Sequence, residues 1–163
     1  DLPTTRGKFK RGFDLVPDRP DIYSKHKRYD KFRNIPKAVH PVNAVAVAEK
    51  AFILAAATLG TSDEVHLWDM LTKELKVSLK AHTAHVWDLE FSPNESTLAT
   101  ASNDHTIRLW DTYTGRPLGV LKEHTAGVRT LSFSPMLPAG YLITGGSDSL
   151  LCLWEYDNPE PIQ

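Results

Sequence analysis

Apolar residues fall along this chain in short alternating or β-branched bursts, each closed by turn-forming residues. Val86-Trp87-Asp88-Leu89-Glu90-Phe91 reads as a strand ended by the turn Ser92-Pro93-Asn94-Glu95. Residues 98–102 read as the next strand, Asn103-Asp104-His105 as a tight turn, and residues 106–110 as a third strand. Thr112-Tyr113-Thr114-Gly115 reads as the turn before a fourth strand over 118–122. These runs are rich in β-branched and aromatic side chains and are bounded by Pro, Gly, Asn and Asp, which favours extended backbone between tight turns. No stretch sustains an apolar period of about 3.6 residues, so the pattern predicts an all-β fold.

The same unit returns along the chain. His40, His82 and His124 are spaced by 42 and 42 residues (82 − 40; 124 − 82), and Trp68, Trp110 and Trp154 by 42 and 44. Phe91-Ser92-Pro93 returns as Phe133-Ser134-Pro135. A fixed period of this length marks a stacked or circular array whose unit cannot bury its apolar face alone, and function is then expected on the array's surface. Two extra residues around Met136-Leu137-Pro138-Ala139-Gly140 account for the 44-residue interval. In the first repeat the 42-residue register puts Ser62 opposite Asp104, Glu49 opposite Phe91 and Val45 opposite Trp87, so this unit is expected to be the least well satisfied of the three.

Ala81-His82, the run from Val86 through Phe91-Ser92-Pro93, Asp104 and Thr106-Ile107-Arg108-Leu109-Trp110-Asp111 together resemble one complete WD repeat, the four-stranded blade of a β-propeller. Glu123-His124, Phe133-Ser134-Pro135, Asp148 and Leu153-Trp154-Glu155 resemble a second, and Val39-His40 through Val65-His66-Leu67-Trp68-Asp69 a more divergent one. The resemblance covers roughly residues 38–157. It implies three four-stranded WD-repeat β-propeller blades forming an incomplete ring, over about 34–79, 80–121 and 122–163, behind a largely irregular basic N-terminal arm over 1–33. None of the three units carries the family's usual Gly before its His, so that loop is expected to turn less tightly. A faint similarity to the WD-repeat region of bromodomain-and-WD-repeat proteins rests on Phe133-Ser134-Pro135-Met136, the insertion before Tyr141 and Tyr23-Ser24-Lys25-His26-Lys27-Arg28.

The resemblance also implies roles for the recurring polar residues. In such blades a loop His, a second-strand Ser or Thr, a turn Asp and the third-strand Trp form a buried hydrogen-bonded chain. Here they would be His82, Thr100, Asp104 and Trp110, then His124, Thr144, Asp148 and Trp154. Asp, His and Thr also have the makeup of a carboxylate, a base and a nucleophile. A set repeated once per blade is expected to be architecture, because an active site needs to occur once; the chain is expected to be no enzyme, with hydrolase the only type hinted at. Loops at the His and Asp end of such blades often grip peptides or proteins, which makes His85, Trp87, Asn103, His105, Arg129 and Ser147 the expected partner-binding surface. Trp87 stands out because Trp is enriched in binding hot spots, and packing between neighbouring blades is its other reading.

Charge divides the chain in two. Residues 1–37 hold eleven Lys/Arg and five Asp/Glu, a net of +6, and residues 38–163 hold eight and fifteen, a net of −7. In the arm, Lys8, Lys10, Arg11, Lys25, Lys27, Arg28, Lys31 and Arg33 lie beside Phe9, Tyr29 and Phe32, a composition suited to phosphate backbones or acidic partners, or to packing along an acidic body. Cys152 is the only cysteine, so no internal disulfide framework exists and a reducing compartment is expected. No apolar run approaches the roughly 18 residues of a membrane span and the start does not read as a signal peptide, so the expected location is intracellular, cytoplasmic or nuclear. His26, His66, His85 and His105 have no Cys or His at ligand spacing, so no metal or cofactor is expected. Gly145-Gly146-Ser147 lacks the Lys of a phosphate loop and reads as a strand end.

Propellers close with roughly four to eight blades, and three are visible here. Asn34-Ile35-Pro36-Lys37 reads as a spare outer strand, and the outer strand of the last blade would fall at 162–165, past Gln163. The ring is therefore expected to be completed by blades of a longer parent protein, or by a head-to-tail homodimer. Protein or peptide partners are the main expectation, with nucleic acid reached through the arm as the alternative.

Overall fold

The computed structural model describes residues 40–60, 63–134 and 140–156. The described residues form eleven strands and no helix. β1 (Val42–Ala48), β2 (Ile53–Thr58), β3 (Val65–Asp69) and β4 (Leu75–Leu79) make one antiparallel sheet in chain order. β5 (Val86–Phe91), β6 (Thr97–Ser102), β7 (Ile107–Asp111) and β8 (Pro117–Leu121) make a second. β9 (Val128–Phe133), β10 (Gly140–Gly146) and β11 (Leu151–Tyr156) make a third, which has three strands among the described residues rather than four. The strands read from the second repeat lie within a residue or so of β5 to β8. The arm over 1–33 and the strand read at 34–37 lie outside the described residues.

Each sheet is covered by its neighbour, and the side chains show why the pleat allows it. β6 is buried at all six positions because both of its faces are occupied. Leu98 points with Leu89, Phe91 and Trp110 into a cluster shared with Ala55, Ala57, Val65, Leu67 and Leu79 of the first sheet. Ala99, Ala101 and Ile107 face the other way, against Val128, Leu131, Phe133 and Leu142 of the third. The alanines leave room for the neighbour's Leu and Phe, each of which gains about 1.5–3 kcal/mol on full burial. Polar clips tie the inner strands together. Asn43 Nδ2 donates to Val86 O (2.7 Å), Asp88 Oδ2 accepts from Leu131 N (3.0 Å), and Glu90 Oε2 accepts from Phe133 N (2.8 Å).

The third-strand Asp following Trp has its own local task. Asp69 Oδ1 accepts from the N–H groups of Leu71 (2.8 Å) and Thr72 (2.9 Å), and Asp111 Oδ1 from those of Tyr113 (3.1 Å) and Thr114 (2.7 Å). These Asx turns close the β3–β4 and β7–β8 hairpins. One residue of each turn takes a left-handed backbone, Lys73 at φ 66° and Gly115 at φ 69°.

The first sheet departs from the 42-residue register. Val47 pairs with Leu54 and Leu54 with Trp68, as Phe91 pairs with Leu98 and Leu98 with Trp110. The counterpart of Phe91 is therefore Val47, 44 residues away (91 − 47), and not Glu49; that of Trp87 is Asn43 and not Val45. The β2–β3 connection, 59–64, is two residues longer than 103–106, and the step from His40 to Val42 is two shorter than that from His82 to Val86. The two changes cancel, which keeps the His and Trp intervals at 42 while the strands between them slide. Cys152 is half-buried on β11, the strand of the third sheet farthest from β9.

Candidate functional site

Two sets of polar residues recur at the end of the array where β1–β2, β5–β6 and β9–β10 begin to diverge: a buried chain and an exposed row. In the second sheet His82 Nδ1 lies 2.8 Å from Asp104 Oδ2, His82 Nε2 lies 2.8 Å from Thr100 Oγ1, and Trp110 Nε1 donates to Thr100 Oγ1 at 3.0 Å. In the third, His124 Nδ1 lies 2.9 Å from Asp148 Oδ2, Nε2 lies 2.9 Å from Thr144 Oγ1, and Trp154 Nε1 donates to Thr144 Oγ1 at 2.9 Å. A carboxylate only accepts, so Nδ1 carries the hydrogen; in the neutral ring Nε2 then accepts the threonine O–H, while the threonine oxygen accepts from the indole. Every group has a partner of the right sense, and Thr100 and Thr144 are fully buried.

The turn carboxylates are held in their charged form. Burial works to raise Asp104, but hydrogen bonds from His82, Thr106 and the Thr83 N–H outweigh it and hold the carboxyl well below the usual range. Burial also opposes the shift at Asp148, where the N–H groups of Leu150 and Thr125 and the His124 ring bring it down to about 2. Gly146 makes the second pair fit, because a Cβ there would lie 2.5 Å from both His124 Nδ1 and Asp148 Oδ1.

Among the described residues the first sheet shows no such chain. The place of Thr100, which pairs with Leu89 and Arg108, is taken by Ala56, which pairs with Val45 and His66 and has no hydroxyl. Ser62 lies outside the described residues. Asp63 reaches into the next unit, with Oδ1 2.5 Å from His85 Nδ1. His66 turns to Ser78 Oγ (2.8 Å) and meets Trp68 edge to face, and burial lowers its pKa despite the opposing charge of Glu64.

The exposed row is built by three β-bulges. The pairing skips Asn43 between Val42 and Ala44, Trp87 between Val86 and Asp88, and Arg129 between Val128 and Thr130. An inserted residue leaves the ladder and re-aims its side chain. Trp87 and Arg129 meet across the junction of the second and third sheets: the Arg129 guanidinium carbon lies 4.4 Å from the Trp87 ring centroid. Arg129 Nε donates to Ser147 Oγ (2.8 Å), Trp87 Nε1 to Asn103 Oδ1 (3.3 Å), and His85 meets Trp87 edge to face at 6.1 Å. The structure thus brings five of the six expected surface residues into one row, together with Asp63; His105 is exposed in the adjoining turn, left-handed at φ 69°. Both readings of Trp87 have a basis, since it is half-buried against the next blade's Arg129 and Asn103 of its own. Asn43 escaped the sequence reading. Nothing in a 42-residue register marks a bulge, and Asp63 stands one step from the matched position.

Among the described residues no group of three His, Cys, Asp or Glu is placed to hold a metal ion, and no helix is long and apolar enough to cross a membrane. Burial raises the Cys152 thiol, with Asp148 and Glu123 adding to it. Gly145 and Gly146 close strand β10. The basic residues Lys8 through Arg33 lie outside the described residues.

Residues 73–111 and 115–155 match the family described as "WD domain, G-beta repeat". Superkiller complex protein 8 of Dictyostelium discoideum is 29% identical, covering 42% of this chain and 26% of its own length. The U5 small nuclear ribonucleoprotein 40 kDa protein of the same organism is 42% identical, covering 29% of this chain and 14% of its own length. The chain thus spans about a quarter and about a seventh of these relatives. They lend no support to the bromodomain-and-WD-repeat similarity. With three antiparallel sheets in series, and with the matched stretches running from β4 through β7 and from β8 through β11, the chain carries two WD repeats.

Proposed function

We propose that this chain is a non-catalytic WD-repeat scaffold, part of a larger propeller, that presents its bulge row to protein partners. The observation that carries the reading is that row: one re-aimed residue per sheet, with Trp87, Arg129, Asn103, Ser147 and His85 joined across a junction between blades. The apparent triads are poor nucleophiles, because Thr100 and Thr144 are sealed from solvent and each oxygen already accepts from an indole. Both relatives are named for assemblies, a complex and a ribonucleoprotein, which agrees with a role in holding proteins together.

The outer faces of the array support completion by further blades. Leu151 is 82% exposed while its counterpart Ile107 is fully buried, and Val45 is 62% exposed while its counterpart Leu89 is 3%. Apolar faces of this kind are covered in a closed ring. Blades of a longer parent protein fit this, and a head-to-tail homodimer fits less simply; solution mass separates them, since only the second requires a stable dimer.

A second reading, association with RNA or chromatin through the arm over 1–33, draws on its net positive charge and on the ribonucleoprotein relative. Either setting is intracellular, cytoplasmic or nuclear. Capture of partners by the intact protein, by a variant lacking residues 1–33 and by Trp87→Ala tests both. The scaffold reading expects loss with Trp87→Ala and retention without the arm; salt-sensitive binding lost only with the arm favours the second reading, and retention in both variants overturns the use of the row.

A further inference from the structure

We infer that the row between the second and third blades is a receptor for an anionic oxygen group, carboxylate or phosphoryl, carried on a peptide. The inference rests on the proposed use of this surface by protein partners and names the chemistry of what is held.

Once the row's internal bonds are made, each of its polar side chains keeps hydrogen-bonding atoms turned outward. Asn103 Oδ1 accepts from the Trp87 indole, so what Asn103 presents outward is its Nδ2, a donor. Ser147 Oγ accepts from Arg129 Nε, so what it presents is its O–H. Arg129 uses Nε on Ser147 and one face on the Trp87 ring, which leaves the Nη edge, two parallel N–H groups in the geometry that takes both oxygens of a carboxylate or phosphoryl group. Arg129 is exposed, and no carboxylate lies within ion-pair distance of it among the described residues. Each of these three adjoining side chains therefore still has a donor to offer, and Arg129 only donors, so an acceptor-rich group complements them.

The guanidinium is also oriented beforehand. Stacking on Trp87 and the bond to Ser147 fix its plane, so less side-chain freedom is lost on binding than for a free arginine. Gly127 keeps the seam narrow, since a Cβ there would lie 2.5 Å from Asn103 Oδ1. Asp63, beside His85, bounds the row on the side of the first sheet with negative charge and confines an anion to the Arg129 end. The surrounding body, with a net of −7 over residues 38–163, disfavours a long polyanion such as nucleic acid while leaving a single anionic side chain free to dock.

The test is affinity selection from a random twelve-residue peptide library on the intact protein, in parallel with Arg129→Gln and Trp87→Ala. Enriched peptides are expected to carry Asp or Glu at one shared position. Arg129→Gln is expected to weaken them about ten- to a hundredfold, the usual range for a charge-assisted hydrogen bond. Synthetic copies with phosphoserine or Gln at the shared position distinguish the two anionic sources: Gln abolishes the preference, and the stronger of carboxylate and phosphoserine identifies the source. Enriched peptides without an acidic position, or binding unchanged by Arg129→Gln but lost with Trp87→Ala, overturn the anion receptor while leaving the partner surface standing. Selection unaffected by either variant overturns both, and tighter binding of a single-stranded oligonucleotide at this row overturns the peptide as ligand.

Discussion

Two buried threonines of the second blade should respond oppositely to the same substitution. Thr100 and Thr112 are both fully buried. Thr100 Oγ1 accepts the Trp110 indole hydrogen at 3.0 Å and donates to His82 Nε2 at 2.8 Å. Thr112 Oγ1 has no hydrogen-bond partner among the described residues. Valine keeps the volume and branching of threonine, so cavity effects nearly cancel and the hydroxyl is what changes. Thr100→Val strands a buried donor and a buried acceptor at about 1–3 kcal/mol each; relief from burying the hydroxyl itself offsets part of this, for a net loss near 3 kcal/mol. At about 2–4 °C per kcal/mol for a chain of this size, Tm falls by about 6–12 °C. Thr112→Val removes an unpaired polar atom and should be neutral or stabilising by up to about 1 kcal/mol. Urea unfolding and calorimetry of the two variants beside the parent measure both quantities. Equal destabilisation, or the larger loss at Thr112, would refute the hydroxyl relay.

Other outcomes follow from the same geometry. Asp104 and Asp148 release their protons more readily folded than unfolded, so the unfolded chain binds more protons below pH ~4. Their stabilisation is complete above that pH and is lost as pH falls through about 2 at Asp148; urea midpoints from pH 6 to 2 should drop over that window, less steeply in Asp104→Asn. Lys73→Gly should stabilise by about 0.5–1 kcal/mol, because Lys73 holds the left-handed backbone that Gly115 adopts in the next blade; an unchanged midpoint would count against strain there. Gly146→Ala should destabilise more than Gly145→Ala. The first Cβ collides with the His124–Asp148 pair at 2.5 Å, whereas the second meets a Thr130 methyl at 3.2 Å. Thermal melts of the two variants compare them directly.

Much of the fold could be read from the chain, for identifiable reasons. The β5 to β8 strands are visible because their β-branched and aromatic runs end at Pro, Asn, Asp and Gly, which act through local backbone preference. His82, Thr100, Asp104 and Trp110 were named as a set by the family resemblance, and the structure joins them by hydrogen bonds. The first blade was misread at Phe91 and Trp87 because a shortened loop before β1 and a lengthened β2–β3 turn cancel between His40 and Trp68, and only pairing partners expose the slide. The bulges at Asn43, Trp87 and Arg129 were invisible for a related reason: a bulge is a property of two strands, and neither strand states it alone. The family resemblance nominated Trp87 and Arg129 separately, while the contact that makes them a unit crosses from one blade to the next.

Hydrogen exchange of the indole N–H groups puts the division between buried architecture and exposed working surface to its sharpest test. Trp110 and Trp154 donate to sealed threonines, whereas Trp87 donates to the exposed Asn103. The Trp110 and Trp154 indole hydrogens should exchange only when their blades open, as slowly as the backbone of β6 and β10, and the Trp87 hydrogen far faster. Exchange of all three at one rate, or faster exchange at Trp110 and Trp154 than at Trp87, would contradict the assignment of the repeated residues to the interior and of the row to the surface.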